Sequence, residues 1–206
     1  MTTDPDDVIG WIADIFERRG AESYLGEAIT MAEHMLQSAA LAQAEGASEA
    51  LVAAALLHDI GYYTGALAED PLEDVVDNRH DLVGADALEA CFPQMVTECV
   101  RLHVAAKRYL CATDRTYYAR LSQASQHSLS FQGGPMSEAE QADFRRFRFH
   151  REALRVRRWD DDAKAVGLKV GGFEDFRALL QRVISSARVP TSHPPRRHGR
   201  EPIVPR

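Results

Sequence analysis

The sequence has little of what would place a chain in a membrane, outside the cell or around a disulfide. No apolar run approaches the roughly 18 residues that span a bilayer. The N-terminal MTTDPDD lacks the basic and apolar regions of a secretory signal. Only three cysteines occur, Cys91, Cys99 and Cys111, and they form no CxxC pair. An odd number of such thiols predicts reduced, partly buried cysteines in a cytoplasmic protein and makes a zinc–cysteine site a poor expectation.

An excess of basic charge is also missing. The formal net charge is −7 over 206 residues, so bulk electrostatics do not favour nucleic acid as a partner. The segment FRRFRFHREALRVRR contains seven arginines, but at helical spacing they fall on several faces. We interpret it as a solvated surface and expect neither a specific nucleic acid nor a membrane as a partner.

Apolar residues recur at helical spacing nearly throughout, and no strand pattern or internal repeat is evident. The pattern predicts an all-α fold: a single helical domain over residues 1–187, followed by a disordered, proline- and arginine-rich tail over 188–206. Predicted helices cover residues 6–20, 27–45, 48–60, 80–92, 93–110, 137–164 and 173–187. Ser48 and Ser137 are expected N-caps, and Gly61 is expected to end the third helix, which is apolar nearly all round and therefore central.

The third helix ends in AALLHDIGYY, which places an imidazole and a carboxylate side by side where burial is expected. Four of the eight histidines, His34, His58, His80 and His103, lie on or at the start of separate predicted helices. One such histidine is usually a core residue with one hydrogen bond. Four of them, one followed by Asp59, favour a shared metal, because a metal ion compensates the desolvation of several imidazoles at once. Iron, manganese and zinc all accept these ligands.

His34, the pair His58-Asp59 and the distant Asp160 together resemble the HD-domain superfamily of metal-dependent phosphohydrolases. Four further stretches, YLGEAIT, HVAAKRYL, LSQASQHSLSFQGGPM and RRWDDDAK, narrow the match. Between about Tyr24 and Lys164 the chain resembles the mixed-valence di-iron oxygenases of the PhnZ type, which cleave the carbon–phosphorus bond of α-hydroxylated aminophosphonates. The arrangement Asp160-x3-Lys164 is similar to that of myo-inositol oxygenase.

The resemblance implies two iron ions, Fe(II) and Fe(III), with O2 as co-substrate. Metal one would be held by His34, His58, Asp59 and Asp160, and metal two by Asp59, His80 and His103, with Asp59 as the catalytic bridge. It further implies a small zwitterionic hydroxyphosphonate substrate, supplied by an iron- and 2-oxoglutarate-dependent hydroxylase. The products would be phosphate and an amino-acid-type carboxylate such as glycine or betaine.

The resemblance also assigns the substrate contacts. Lys107, Ser125, Gln132 and Arg157 would bind the phosphonate, and Glu27 the cationic nitrogen. Tyr24 would close the open position on metal two in the absence of substrate, a catalytic role.

Tyr62 departs from the family pattern, since the best-known members have histidine after HDxG. A tyrosine could hold a methylated amine by cation–π contact, so a trimethylammonium phosphonate is a candidate beside the primary amine.

Two other functions remain open. The minimal ligand set would equally serve a metal-dependent phosphohydrolase acting on a nucleotide or phosphate ester, and a ligand-sensing module without catalysis would keep the same fold. The additional histidines and the QGGPM and WDDDAK stretches favour the oxygenase. For Lys107, one helical turn beyond His103, the alternative to a substrate contact is a lysine that reaches solvent.

Overall fold

The computed structural model describes residues 5–24, 26–64 and 79–187. Within these ranges the chain is helical and contains no strand, only one isolated bridge between Ser23 and Thr30. The predicted all-α fold is confirmed. The helices are α1 Pro5–Arg19, α2 Met31–Ala44, α3 Glu49–Leu57, a 3-10 helix Ile60–Tyr63, α4 His80–Leu88, α5 Gln94–Thr113, α6 Tyr117–Arg120, α7 Gln123–Phe131, α8 Glu138–Phe144, α9 His150–Asp162 and α10 Phe173–Ala187.

Side-chain caps fix where several helices begin. The hydroxyls of Ser48 and Ser137 accept hydrogen bonds from the third backbone amide of α3 and α8, as predicted. Thr30 and Glu33 form a capping box at the start of α2, so this helix begins at Met31 and not near Glu27 as predicted. Glu27 therefore lies in the turns that precede α2, so the direction of its side chain is not set by a helical backbone.

Helix α3 forms the centre of the fold. Every residue from Leu51 to Leu57 is buried, and α2, α5, α9 and α10 pack around it. Burying an apolar side chain contributes about 1.5–3 kcal/mol, so this helix is held firmly by its surroundings. Its C-terminal end therefore delivers His58 and Asp59 to a fixed place in the interior.

Gly61 does not end α3, contrary to the prediction. The helix ends at Leu57, and Gly61 lies within the following 3-10 helix. A Cβ atom at Gly61 would lie 1.9 Å from the carbonyl oxygen of His80 and 2.8 Å from the amide nitrogen of Gly84. Glycine is needed here because the 3-10 helix and the start of α4 touch backbone to backbone. This close approach brings His80 towards Asp59.

The single charged helix predicted for 137–164 is two helices, α8 and α9, separated by residues 145–149. Phe144 and Phe149 are both buried on either side of the break. In a continuous helix these positions would point about 140° apart, so one ring would face solvent. The break lets both rings reach the core. The helices α6 and α7, between residues 117 and 131, were not predicted at all.

The remaining boundaries agree more closely. Helix α10 has the predicted bounds, while α4 ends four residues earlier than predicted and α5 extends to Thr113.

Cys91, Cys99 and Cys111 are free thiols, two of them buried. No helix among the described residues is long and apolar enough to cross a membrane. The predicted disordered tail over 188–206 lies outside the described residues.

Candidate metal centre

Six titratable side chains from five helical segments meet in the interior. None is more than 4% exposed. They are His34 of α2, His58 and Asp59 at the end of α3, His80 of α4, His103 of α5 and Asp160 of α9. All six residues predicted as metal ligands are thus brought together, although they are separated by up to 126 positions in the chain.

His34, His58 and one oxygen of Asp59 form the first half of the cluster. The two Nε2 atoms lie 3.0 Å apart. Asp59 Oδ2 lies 3.6 Å from Nε2 of His34 and 3.3 Å from Nε2 of His58. Asp160 adds a second carboxylate, with Oδ1 3.4 Å from Nε2 of His34. Together these side chains offer imidazole nitrogens and carboxylate oxygens, the donors that a metal ion such as iron accepts.

The second half of the cluster uses the other oxygen of Asp59. Asp59 Oδ1 lies 3.3 Å from Nε2 of His80 and 3.4 Å from Nε2 of His103. The two imidazole nitrogens are 3.1 Å apart. Because each carboxylate oxygen of Asp59 faces a different histidine pair, this side chain has the geometry of a bridge between two metal ions.

Backbone carbonyls set the tautomer of three of the histidines. Nδ1 of each donates to a carbonyl oxygen: His34 to Ala163 at 2.9 Å, His58 to Ala55 at 2.8 Å, and His103 to Val100 at 2.7 Å. A carbonyl only accepts, so Nδ1 carries the hydrogen and a neutral ring presents a lone pair at Nε2. Outer hydrogen bonds of this kind orient histidine ligands in metal sites.

The donor set fits a metal ion on physical grounds. Two neutral rings would set the Nε2 lone pairs of His34 and His58 against each other at 3.0 Å, so a proton or a metal ion must lie between them. Among the described residues, Asp59 Oδ2 and Asp160 Oδ1 are buried without a hydrogen-bond partner, a costly state that coordination would relieve. Both unsatisfied oxygens face the same histidine pair, so a positive charge at this point would stabilise the cluster.

The electrostatics of the cluster also favour a cation. Burial lowers the pKa of His58, but the carboxylates of Asp59 and Asp160 outweigh it and raise the pKa to about 9. Burial raises the pKa of Asp59, but the surrounding histidines, His58 first, outweigh it and hold the pKa well below its ordinary value. The carboxylate therefore stays ionised, as a metal ligand must.

An aromatic ring packs on one histidine of each half. Tyr24 stacks on His34 with ring centroids 3.9 Å apart, and Tyr62 stacks on His80 at 4.2 Å. Both tyrosines are buried. The rings fix the imidazole planes and cover the cluster with apolar surface. The closure of metal two by Tyr24 stays a prediction, since its ring lies against the first half.

Comparison with known proteins places this geometry in a family. The HD domain family model matches residues 31–129. A Leisingera caerulea protein named 1-hydroxy-2-(trimethylamino)ethylphosphonate dioxygenase (glycine-betaine-forming) is 45% identical over 177 residues, covering 86% of this chain and 90% of the relative. The hydroxymethylphosphonate dioxygenase of Gimesia maris is 38% identical over 182 residues, covering 88% and 90%. The chain belongs to the HD-domain phosphonate dioxygenase family.

The family resemblance predicted an anion-binding lysine, and the structure places it in the interior. Lys107 is 2% exposed, and its Nζ donates to Ser128 Oγ at 2.8 Å. Burial, together with the charge of Arg157, lowers its pKa to about 7. The alternative of a lysine that reaches solvent is therefore wrong. Among the described residues, the hydrogen bond of its Nζ goes to a neutral hydroxyl, which would leave the charge of a protonated Lys107 available to an anionic ligand.

Three serines, the N-cap of α7 and two residues within it, lie beside the cations. Ser122, Ser125 and Ser128 recur every three residues, so their hydroxyls share a face. Lys164 Nζ donates to Ser122 at 2.9 Å and to Ser125 at 3.0 Å. Ser125 was predicted as a substrate contact. Ser122 and Ser128 were missed, although their spacing in LSQASQHS could have indicated them.

Two glycines shape the turn after α7. Gly133 and Gly134 have φ of 92° and 68°, a region that favours glycine. Arg108 holds this turn by donating to the carbonyl of Gly134 at 2.8 Å. Gln132 lies at the end of α7, and its buried Oε1 has no hydrogen-bond partner among the described residues. The predicted role of Gln132 in phosphonate binding stays a prediction.

The two remaining predicted contacts are already paired. Glu27 Oε1 lies 3.0 Å from Nζ of Lys164. Burial raises the pKa of Glu27, but hydrogen bonds from Ser122 and Lys164 outweigh it and the pKa lies below its ordinary value. Arg157 is buried and donates to Asp160 Oδ2 at 2.6 Å and to Ser125 Oγ at 3.4 Å. Arg157 thus joins a predicted metal ligand to a predicted phosphonate contact.

Proposed function

We propose that this chain is an O2-dependent oxygenase with two irons that cleaves the carbon–phosphorus bond of an α-hydroxylated alkylphosphonate. The observation that carries the proposal is Asp59, whose two oxygens face two separate histidine pairs, in a chain 45% identical to a phosphonate dioxygenase. A single metal would need only one of these pairs. The products are phosphate and a carboxylate, glycine from an amino substrate or betaine from its trimethylammonium analogue.

His34, His58, Asp59 and Asp160 would hold one iron, and Asp59, His80 and His103 the other. When bound, the mixed-valence iron pair supplies the redox chemistry with O2. In the overall reaction the C1–H and C1–P bonds break, C1 is oxidised to a carboxylate and O2 is reduced, and its oxygen atoms end in the products. The part of the protein is to hold and orient the reactants and to exclude water.

The anionic end of the substrate would bind beside α7. Lys107, Lys164 and Arg157 bring three cationic groups to the serine hydroxyls there. Only three lysines occur in the chain, so two of them serve this one region. Charge-assisted hydrogen bonds are about twice as strong as neutral ones. This concentration of charge supports a phosphonate dianion as the group bound.

The cationic end would bind at Glu27. Lys164 already places an ammonium group 3.0 Å from this carboxylate, so a substrate cation would take over a position that suits positive charge. Tyr24 and Tyr62 add aromatic faces to a buried region. A quaternary ammonium cannot donate a hydrogen bond, but it binds by charge and by cation–π contact. The trimethylammonium substrate is therefore the better candidate.

Iron loading tests the proposal. We expect protein reconstituted anaerobically with iron to contain two irons per chain and to consume O2 when 1-hydroxy-2-(trimethylamino)ethylphosphonate is added. Zinc-loaded protein is the control and should consume none, because zinc has no redox chemistry. Full activity with one iron per chain, or with zinc, would refute the di-iron assignment.

Loss of the buried ammonium at Lys107 should weaken substrate binding. For Lys107→Ala we expect KM to rise about 10- to 100-fold, equivalent to about 1.5–3 kcal/mol for a hydrogen bond to a charged group. The value of kcat should change little if the contact is equally strong in the ground and transition states. Lys169→Ala is the matched control, because Lys169 is exposed. Equal KM values in the two variants would remove Lys107 from the substrate site.

A further inference from the structure

Arg157 uses all three nitrogens of its guanidinium on protein partners. One terminal nitrogen donates to Asp160 Oδ2 at 2.6 Å, and the other donates to Asp161 Oδ1. Nε donates to the hydroxyl of Tyr117 at 3.2 Å. An arginine in which every nitrogen has a partner presents a fixed plane of positive charge.

Tyr117 and Asp161 also contact each other, which closes the network. The Tyr117 hydroxyl donates to Asp161 Oδ2, the oxygen that Arg157 does not use. Tyr117 is 4% exposed, and the side chain of Asp161 is 15% exposed. Burial raises the pKa of Tyr117, so the phenol stays protonated and remains a donor. The three side chains form a closed set of hydrogen bonds that links the short helix α6 to α9.

The network also orients the carboxylate of Asp160. Arg157 occupies its Oδ2, and Oδ1 is left facing His34 Nε2 at 3.4 Å without a hydrogen bond. Arg157 thereby decides which oxygen Asp160 offers to the first half of the cluster. If Arg157 moved, Asp160 could rotate and present either oxygen.

We propose that Tyr117 and Asp161 are positioning residues for the first metal: they hold Arg157 so that Asp160 presents Oδ1 to it. This inference rests on the proposed metal centre. Asp160 lies beside the first histidine pair, with Oδ1 3.4 Å from Nε2 of His34 and Oδ2 3.8 Å from Nε2 of His58. The effect of Tyr117 and Asp161 should therefore fall on one of the two metals.

The chain offers matched controls at adjacent positions. Tyr117→Phe removes a buried hydroxyl, and Tyr118→Phe removes the hydroxyl of a neighbour that is 47% exposed. Asp161→Asn weakens the contact with Arg157, and Asp162→Asn removes the same charge from an exposed neighbour. In each pair the same chemical group is removed, once from a residue of the hydrogen-bond network and once from a neighbour outside it.

The measurement is the rate at which iron leaves each iron-loaded variant to a chelator, without substrate. Changes behind a metal ligand typically cost 10- to 100-fold in metal affinity. We expect Tyr117→Phe and Asp161→Asn to release half of their iron at least about 10-fold faster than wild type, with the other half unchanged. Tyr118→Phe and Asp162→Asn should match wild type. The electron paramagnetic resonance signal of the mixed-valence pair should change in the first two variants only.

Two outcomes separate this inference from the proposed function. If wild type does not retain two irons, the proposed centre fails and the positioning role fails with it. If wild type retains both but Tyr117→Phe and Asp161→Asn release iron like their controls, or release both irons faster together, the positioning role alone is overturned. Melting temperatures identify a variant that does not fold, and the other variant of the pair then decides the question.

Discussion

Asp59→Asn is expected to abolish activity and to cost the protein both metals. Asparagine has one carbonyl oxygen and a donor NH2 group in place of the second oxygen. It cannot face His34 and His58 with one acceptor and His80 and His103 with another, as Asp59 does at 3.3–3.6 Å. We expect kcat/KM to fall by about 1000-fold or more, equivalent to about 4 kcal/mol of transition-state stabilisation. Metal analysis should show less than one equivalent bound.

Asp86→Asn is the control for this substitution. Asp86 is an exposed aspartate that pairs with Arg101 at 2.8 Å on the surface, and such pairs contribute little to stability. Its activity and metal content should match wild type. An Asp59→Asn protein that keeps both metals and most of its activity would show that Asp59 does not bridge.

The part of the site that sequence could predict is the part encoded by short motifs on strongly patterned helices. Helix α3 is apolar on every side, so its burial followed directly from the sequence, and with it the burial of His58 and Asp59. His34 and His103 lie on helices that also carry buried apolar residues. Their meeting with His80 in one cluster was favoured because a shared metal compensates several buried imidazoles, but the full ligand set came from the family resemblance. Only the structure shows the histidine tautomers and the way in which the two oxygens of Asp59 face different histidine pairs.

The rest depended on tertiary contacts that no local pattern carries. Gly61 has the sequence context of a helix end, but its role is the backbone contact with His80. The arginine-rich segment has helical spacing through residues 145–149, yet the burial of Phe144 and Phe149 breaks it. Tyr117 lies on a helix of only four residues, too short for a periodic signal.

The choice of partners for the cations was also beyond the sequence. Lys164 was recognised only through its spacing from Asp160, and its contact with Glu27 spans most of the chain. Three residues predicted to contact substrate, Glu27, Ser125 and Arg157, are bonded to each other or to Lys164 in the structure. Together with Lys164 they form one connected network of hydrogen bonds and ion pairs. A ligand that enters must replace some of these bonds, so recognition of its two ends is linked.

Release of phosphate from the hydroxyphosphonate is expected to stop completely when O2 is removed. The proposed reaction oxidises C1, and among the reactants only O2 accepts the electrons. A phosphohydrolase with the same ligands would need only water activated by its metal. The measurement is phosphate release by iron-loaded protein, in air and under nitrogen, from 2-amino-1-hydroxyethylphosphonate and its trimethylammonium analogue. The substrate that releases phosphate faster shows which cationic group, the primary amine or the trimethylammonium, is preferred at Glu27 and Tyr62.

A simple phosphate ester completes the comparison, because it offers a hydrolase its substrate but has no carbon–phosphorus bond to oxidise. We expect no phosphate from the ester in either atmosphere. Readmission of air to the anaerobic samples should start release from the phosphonate, which shows that the enzyme was intact and lacked only its oxidant. Equal release with and without O2, or steady turnover of the ester, would overturn the oxygenase assignment. The buried cluster around Asp59 would then remain a metal site with hydrolytic chemistry, since the same ligands serve both reactions and only the use of O2 distinguishes them.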